Sequence, residues 1–449
     1  MKVCLARRVR AFAVGAVACV AWSRLALAQA EPPETPAAPS SAKEQEQAQP
    51  PPVAAPAPAK WYEQVKLEAF VDAYSSWNFN FPKPQYNTNA GRALDNANGF
   101  ALRWVGVNAG YAPDPAAGSP VGGFVSLRFG PATLIYAAPP GGSGTPPDTS
   151  IGAGNIKEAY ASWKPLPQLQ LDLGKFGTWV GPETADSQYN MSYTPSALFL
   201  TQPAWHSGLR VDLPLTEQFD LKLFVVQGIN NTFDNNAGKT FGASAGFMPN
   251  QDSSVFLGYM GGPEQPDVVT EVTTDPMTMA VSSTTIEDAA ANGRWRHLLD
   301  LIAELRHDKT HLLLNADLGT ERIDAPGMTT ATTNTWYGAN LTVGYALTDL
   351  FALAVRGGYT ADAKGNFIAS NWGSPLLCGT PPAPCRARVV DATFTLAVTP
   401  SSHLIIKLEP RLDSLSNDDS AYAGVYLKGV RGTSKTMFTT TLGVVATTN

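Results

Sequence analysis

Three patterns in the chain carry residue types capable of covalent or metal chemistry. Gly242-Ala-Ser-Ala-Gly246 matches, letter for letter, the G-x-S-x-G elbow that presents a nucleophilic serine. That chemistry needs a sharp strand-to-helix turn with an acid and a base nearby. Here Phe241, Ala243, Ala245 and Phe247 alternate with Thr240, Gly242, Ser244 and Gly246, so Ser244 reads as a strand residue. His307 and His311 would share one face only on a helix, whereas they flank His307-Asp-Lys309, a hairpin turn. Cys378 and Cys385 bracket a Pro-rich segment and could close a small disulfide loop in an oxidising compartment, but two cysteines are too few for structural zinc. The expectation is no enzyme, no cofactor and no metal site.

Fixed charge offers a different chemistry. Asp172, Arg210, Asp212, Asp220, Lys222, Asp300, Glu304, Arg306, Asp317, Arg356, Asp391, Lys407, Glu409 and Arg411 fall on the polar parity of alternating segments. Mixed charges facing a water-filled conduit set a transverse field and an ion preference. The plainer reading of the same residues is salt bridges that fill and stiffen the interior.

These side chains need strands to position them. Leu209-Arg-Val-Asp-Leu213, the Leu312–Leu318 run and the Tyr337–Tyr345 run each put apolar residues on one face and polar residues or glycine on the other. About sixteen such segments are centred near residues 69, 104, 125, 159, 172, 209, 223, 243, 257, 301, 315, 341, 355, 394, 407 and 441. Short turns follow most even-numbered segments, and longer links such as 131–154, 179–204 and 361–386 follow odd ones. One trimmed rim and one elaborated rim is the asymmetry of an outer-membrane barrel. In hydrocarbon a sheet must close on itself to pair every backbone group, with its apolar face to lipid and its polar face to the lumen. The predicted fold is therefore an all-β transmembrane antiparallel barrel over residues 61–449. In strand 2 the parity is inconsistent, because Arg103 shares the parity of Val105 and Val107. Tryptophans near strand ends (Trp61, Trp77, Trp104, Trp163, Trp179, Trp205, Trp336, Trp372), with Tyr62, are expected in interfacial girdles.

The flanks and the composition agree. Lys2, Arg7, Arg8 and Arg10, the apolar stretch 11–22 and Ala26-Leu-Ala28 form the three parts of an export signal over residues 1–28. Residues 29–60 are Pro/Ala-rich and predict a disordered linker. Loss of five basic and no acidic residues with the signal takes the net charge from −6 to −11. This acidity, with 16% charged residues, speaks against a nucleic-acid partner.

The stretch Gly174-Lys-Phe-Gly-Thr-Trp-Val-Gly-Pro-Glu183 resembles the GKF-T-x-x-G-x-E element of the beta-barrel porin family of the OmpL-like type. Gln202–Arg210, Val226–Asn231, Asp234–Gly242 and Gly261–Gln265 resemble further segments of that family, in order. The ending Val444-Val-Ala-Thr-Thr-Asn449 departs from the aromatic terminus of many members. The resemblance implies a porin-like outer-membrane barrel and does not supply a substrate; the leading expectation is passive diffusion of small hydrophilic solutes or ions through a monomeric or homotrimeric barrel, with outer-membrane lipid and the barrel-insertion machinery as partners. The competing function is a non-conducting barrel for adhesion or envelope anchoring. Loop 179–204, between strands 5 and 6, occupies the position that folds inward in general sixteen-strand porins. By that analogy Glu183 and Asp186 are constriction candidates, and Ala197-Leu-Phe-Leu200 could pack the loop against the inner wall. With the acidic excess, this predicts a mild cation preference.

Overall fold

The computed structural model describes residues 61–83, 89–92, 94–136, 153–274, 281–288, 290–323, 332–364, 386–418, 424–429 and 432–448. The export signal, the linker, Trp372, Cys378 and Cys385 lie outside them. Sixteen strands close into one antiparallel barrel. They are β1 (Lys66–Asn78), β2 (Gly99–Tyr111), β3 (Val121–Phe129), β4 (Ile156–Leu166), β5 (Leu169–Gly177), β6 (Trp205–Pro214), β7 (Phe219–Val226), β8 (Thr240–Asn250) and β9 (Ser253–Pro263). After a separate two-stranded hairpin, β10 (Val268–Thr274) and β11 (Val281–Glu287), come β12 (Trp295–His307), β13 (Thr310–Ile323), β14 (Thr332–Ala346), β15 (Phe351–Asp362), β16 (Ala387–Ser401) and β17 (Leu404–Asn417). A second small hairpin, β18 (Tyr426–Lys428) and β19 (Gly432–Ser434), precedes β20 (Thr436–Thr447), which pairs with β1 to complete the circle. Every predicted segment centre falls inside its own barrel strand; the two hairpins in the long links were not expected.

The alternation sorts the side chains. Leu102, Leu173, Leu257, Leu341, Val355 and Leu442 face outward and are exposed, while Asp72, Arg128, Asp172, Arg356, Glu409 and Arg411 face inward and are buried. The wall is thus apolar outside and polar inside, as a hydrocarbon setting demands. Introducing a charge from outside tests this directly. Leu341→Arg should lower the unfolding free energy of the barrel in lipid by about 2–4 kcal/mol, the cost of arginine at the bilayer midplane. The same change at the neighbouring inward residue Thr342 should cost less. Equal urea midpoints for the two variants would contradict the assigned sidedness.

The inconsistent parity of β2 has a structural cause. Asp72 of β1 opposes Trp104, and Ala73 opposes Leu102, so Arg103 is an extra residue in a β-bulge. Phe100 and Leu102 point out before it and Val105 points out after it, while Arg103 and Trp104 both point inward. The girdle expectation needs correction too. Trp77 and Trp163 are exposed on the outside as expected, but Trp104, Trp179, Trp205 and Trp336 are buried in the interior.

Candidate functional site

The link between β5 and β6 does not extend away from the barrel; it folds into the interior and bonds to inward residues of the wall. Its irregular backbone has lost strand partners, so each buried N–H and C=O needs another. The wall charges supply them. The Lys407 ammonium donates to the carbonyls of Ser187 and Asn190, each at 2.6 Å, and of Ser192 at 3.3 Å. Glu409 accepts from the amides of Tyr193 (2.5 Å) and Thr194 (3.1 Å). Arg356 donates to the carbonyl of Thr194 at 2.6 Å and to Glu183 at 2.8 Å. Glu183 in turn accepts from the amide of Ser196 at 3.0 Å. Asp72 accepts from the hydroxyls of Ser187 and Tyr193, both at 2.6 Å.

Asp186 is the loop's most strongly held charge. Arg128 of β3 grips it with two parallel bonds of 2.8 Å, and Lys157 of β4 adds a third at 2.6 Å. Burial pushes its carboxyl up, but these two cations outweigh that and hold it well below the usual carboxylate range. Nearby on the same loop, burial and the neighbouring Asp186 and Glu68 carboxylates push the Tyr189 hydroxyl far up.

Apolar contacts complete the docking. Ala197 joins Ala387, Val389, Leu415 and Met437 of the wall. Phe199 joins Phe70, Trp104 and Trp205, together with Leu94 and Tyr136 from two other links. Trp179 and Val180 pack on Phe176, Phe224, Met260 and Leu298. Glycines in the wall leave room for the loop: a Cβ at Gly443 would collide with the Tyr193 ring, and one at Gly344 would sit 2.6 Å from the Met191 sulfur. A second inward segment rests on the first. Arg92, from the link after β1, donates to Asp95 and to Asp413 of β17, each at 2.6 Å.

The remaining sequence candidates fall into three groups on the inner wall. Arg210 bonds Asp172 at 2.6 Å and lies 3.8 Å from Asp212, while Lys222 pairs with Asp220. Asp300 accepts from Asn315 at 2.6 Å, and Asp317 accepts from Gln202 of the loop at 2.7 Å. Glu304 pairs with Arg306 and receives His311 at 2.6 Å. The structure therefore joins Glu183 with Arg356, Asp186 with Arg128, and Glu304 with Arg306, but leaves the Arg210–Lys222 ladder apart from the loop's main anchors. Sequence reading missed Asp72, Arg103, Arg128 and Lys157. The parity of Asp72 against Val71 and of Arg128 against Leu127 was there to be used; Arg103 was hidden by the bulge.

Residues 183–197 of the loop dock mainly on β1–β4, β14–β17 and β20, while its two ends, Trp179 with Val180 and Gln202, reach β7, β9, β12 and β13. Between the loop and the opposite wall lies a partly open cavity. Lys157, Glu158 and Glu183 border it on one side, and Lys222, Ser244, Phe256, Ile302, Glu304 and Leu313 on the other.

The architecture is similar to solved outer-membrane proteins. It aligns with the trimer form of OmpT of Vibrio cholerae at a TM-score of 0.51 and 10% identity, over 85% of this chain and 98% of that one. It aligns with the outer membrane channel DcaP of Acinetobacter baumannii at a TM-score of 0.50 and 12% identity, over 85% and 96%. At such identities the likeness concerns the fold alone. No curated protein matches the sequence. The family model described as "Putative beta-barrel porin-2, OmpL-like" matches residues 64–446, nearly the whole barrel, and the chain therefore belongs to that porin family.

Proposed function

We propose that this porin carries small hydrophilic solutes and ions by passive diffusion across the outer membrane, and that the inward loop sets its narrowest section. The carrying observation is the loop's lopsided ionic docking: its charged anchors lie along one arc of the wall, and the open space lies along the other, where only the loop's two ends reach. In this reading Glu183 and Asp186 fix the loop's position. Lys222 and Glu304 stand across the passage, and Arg210, Asp212, Asp300, Arg306, Asp317, Arg356 and Lys407 form the charged inner wall. Three carboxylates (Glu158, Glu183, Glu304) against two ammonium groups (Lys157, Lys222) border the space, which supports a mild cation preference. Residues 1–28 serve as the export signal and 29–60 as a tether. The barrel reaches the membrane through the insertion machinery and works as a monomer or homotrimer.

Purified protein in a planar bilayer under a potassium chloride gradient tests this. The expected result is discrete conductance steps with a reversal potential shifted modestly toward the cation side. A barrel that inserts without conducting would replace this reading with the display or anchoring role, which the dense packing of two links inside the barrel would then explain.

A further inference from the structure

Beneath the two ends of the loop the wall sets two acids side by side. Asp300 of β12 and Asp317 of β13 are direct cross-strand partners, both inward-facing and buried. Asn315 Nδ2 donates to both, at 2.6 Å and 3.4 Å, and the two carboxyl groups lie within hydrogen-bond reach of each other. From β9 the pair faces Gly258, and from β14 it faces Gly338, with Asn340 opposite Asn315; none of these is charged. Along their own strands, the charged residues four positions away are already paired, Arg296 with Glu321 at 2.8 Å and Glu304 with Arg306. Among the described residues, no cation lies within ion-pair distance of Asp300 or Asp317.

The loop is tied to this pair at both ends. Gln202 Nε2 donates to Asp317 and to the Asn315 carboxamide oxygen, each at 2.7 Å. The Gly181 amide donates to Asp300. The two ends also touch: a Cβ at Gly181, whose φ is +75°, would collide with the Gln202 carboxamide. Trp179 covers the place, its indole nitrogen 3.4 Å from where a Cβ of Gly258 would sit. Two carboxylates in contact, buried and without a counter-charge, cannot both stay ionised; such a pair holds one proton between them.

We infer that Asp300 and Asp317 share one proton, and that the resulting acid–carboxylate pair is a clasp that seats both ends of the inward loop and opens when the proton is withdrawn. Hydroxide takes the proton as water and leaves two carboxylates in one buried place. They repel, part, and pull away from the Gln202 carboxamide and the Gly181 amide. The Arg128 and Lys157 grip on Asp186 takes no part in this step, so the ends of the loop loosen while its middle stays docked. The clasp stands on the geometry of the pair; reading its opening through current rests on the diffusion reading.

Infrared spectra at neutral pH read the proton directly. The parent should show the carbonyl stretch of a protonated carboxylic acid, and Asp317→Asn and Asp300→Asn should each lack it. Planar-bilayer records then read the loop, each protein against its own trace at neutral pH. The parent should flicker severalfold more as the solution is made alkaline. Asp317→Asn, which offers an N–H to Asp300 and an oxygen to Gln202 with no proton to lose, should show no such rise. Gln202→Met fills the same space without an N–H and should flicker already at neutral pH. No acid band in the parent, or the same alkaline response in the parent and in Asp317→Asn, overturns the inference while the diffusion reading stands. A barrel that shows the band but never conducts overturns the diffusion reading and leaves the shared proton in place.

Discussion

Removal of residues 184–196 should raise single-channel conductance severalfold. This segment carries Asp186, Tyr193, Thr194 and Ser196, through which the loop is tied to Arg128, Asp72, Glu409 and, by way of Glu183, Arg356. Without it, the interior arc from β14 through β20 to β4 becomes water, and the open cross-section extends across the barrel. The cation preference should also change, because Lys407, Arg356 and Arg411 lose the loop groups that now occupy them. Recordings in a planar bilayer read both quantities. Conductance equal to the parent's would mean that the narrowest section lies elsewhere.

Asp186→Asn is the sharpest single change. It keeps the size of the side chain but leaves the fully buried Arg128 guanidinium without a counter-charge and the Lys157 ammonium with Glu158 alone, at 3.6 Å. Breaking a buried pair from one side costs about 3–5 kcal/mol. That is enough for the loop to leave its docked position part of the time. The expected record is flickering open-channel current, with the reversal potential shifted toward anions as two cations become exposed beside the passage. A quiet current with unchanged selectivity would show that the grip on Asp186 is dispensable.

The same residue fixes the acid response. Because the folded carboxyl is held below its ordinary value, its contribution to docking is complete above about pH 4 and fades only as the pH falls from there through the lowered value. The parent channel should therefore remain quiet from neutral pH down to that point and begin to flicker in stronger acid. The Asn variant should flicker throughout.

Much of the barrel was legible because its physics is periodic. A strand with lipid on one side and water on the other must alternate, so Leu341 beside Asn340, or Val211 beside Arg210, discloses its own orientation. What breaks the period escaped. One added residue at Arg103 reverses the parity midway along β2; the letters show the conflict with Val105 and Val107 but not the bulge that resolves it. The inward tryptophans were misread for a related reason: Trp104, Trp205 and Trp336 are covered by links and other strands' side chains, and such cover is a tertiary property. The docking of the loop was half visible. The apolar letters of 197–200 hinted at packing, and Glu183 and Asp186 were noticed. The receiving surface was not, since Gly344 and Gly443 look like any small interior residue until Met191 and Tyr193 rest on them.

Tyr193 has one more implication. Its hydroxyl reaches Asp72 in the first strand, its amide reaches Glu409 in β17, and its ring lies on Gly443 in the last strand. These strands flank the line along which the two ends of the chain zip together. The loop that narrows the conduit thus also staples that zipper from within, so lateral parting of β1 from β20 has to tear the loop loose first. In the proposed reading, resistance to unzipping and restriction of flow rest on the same residue.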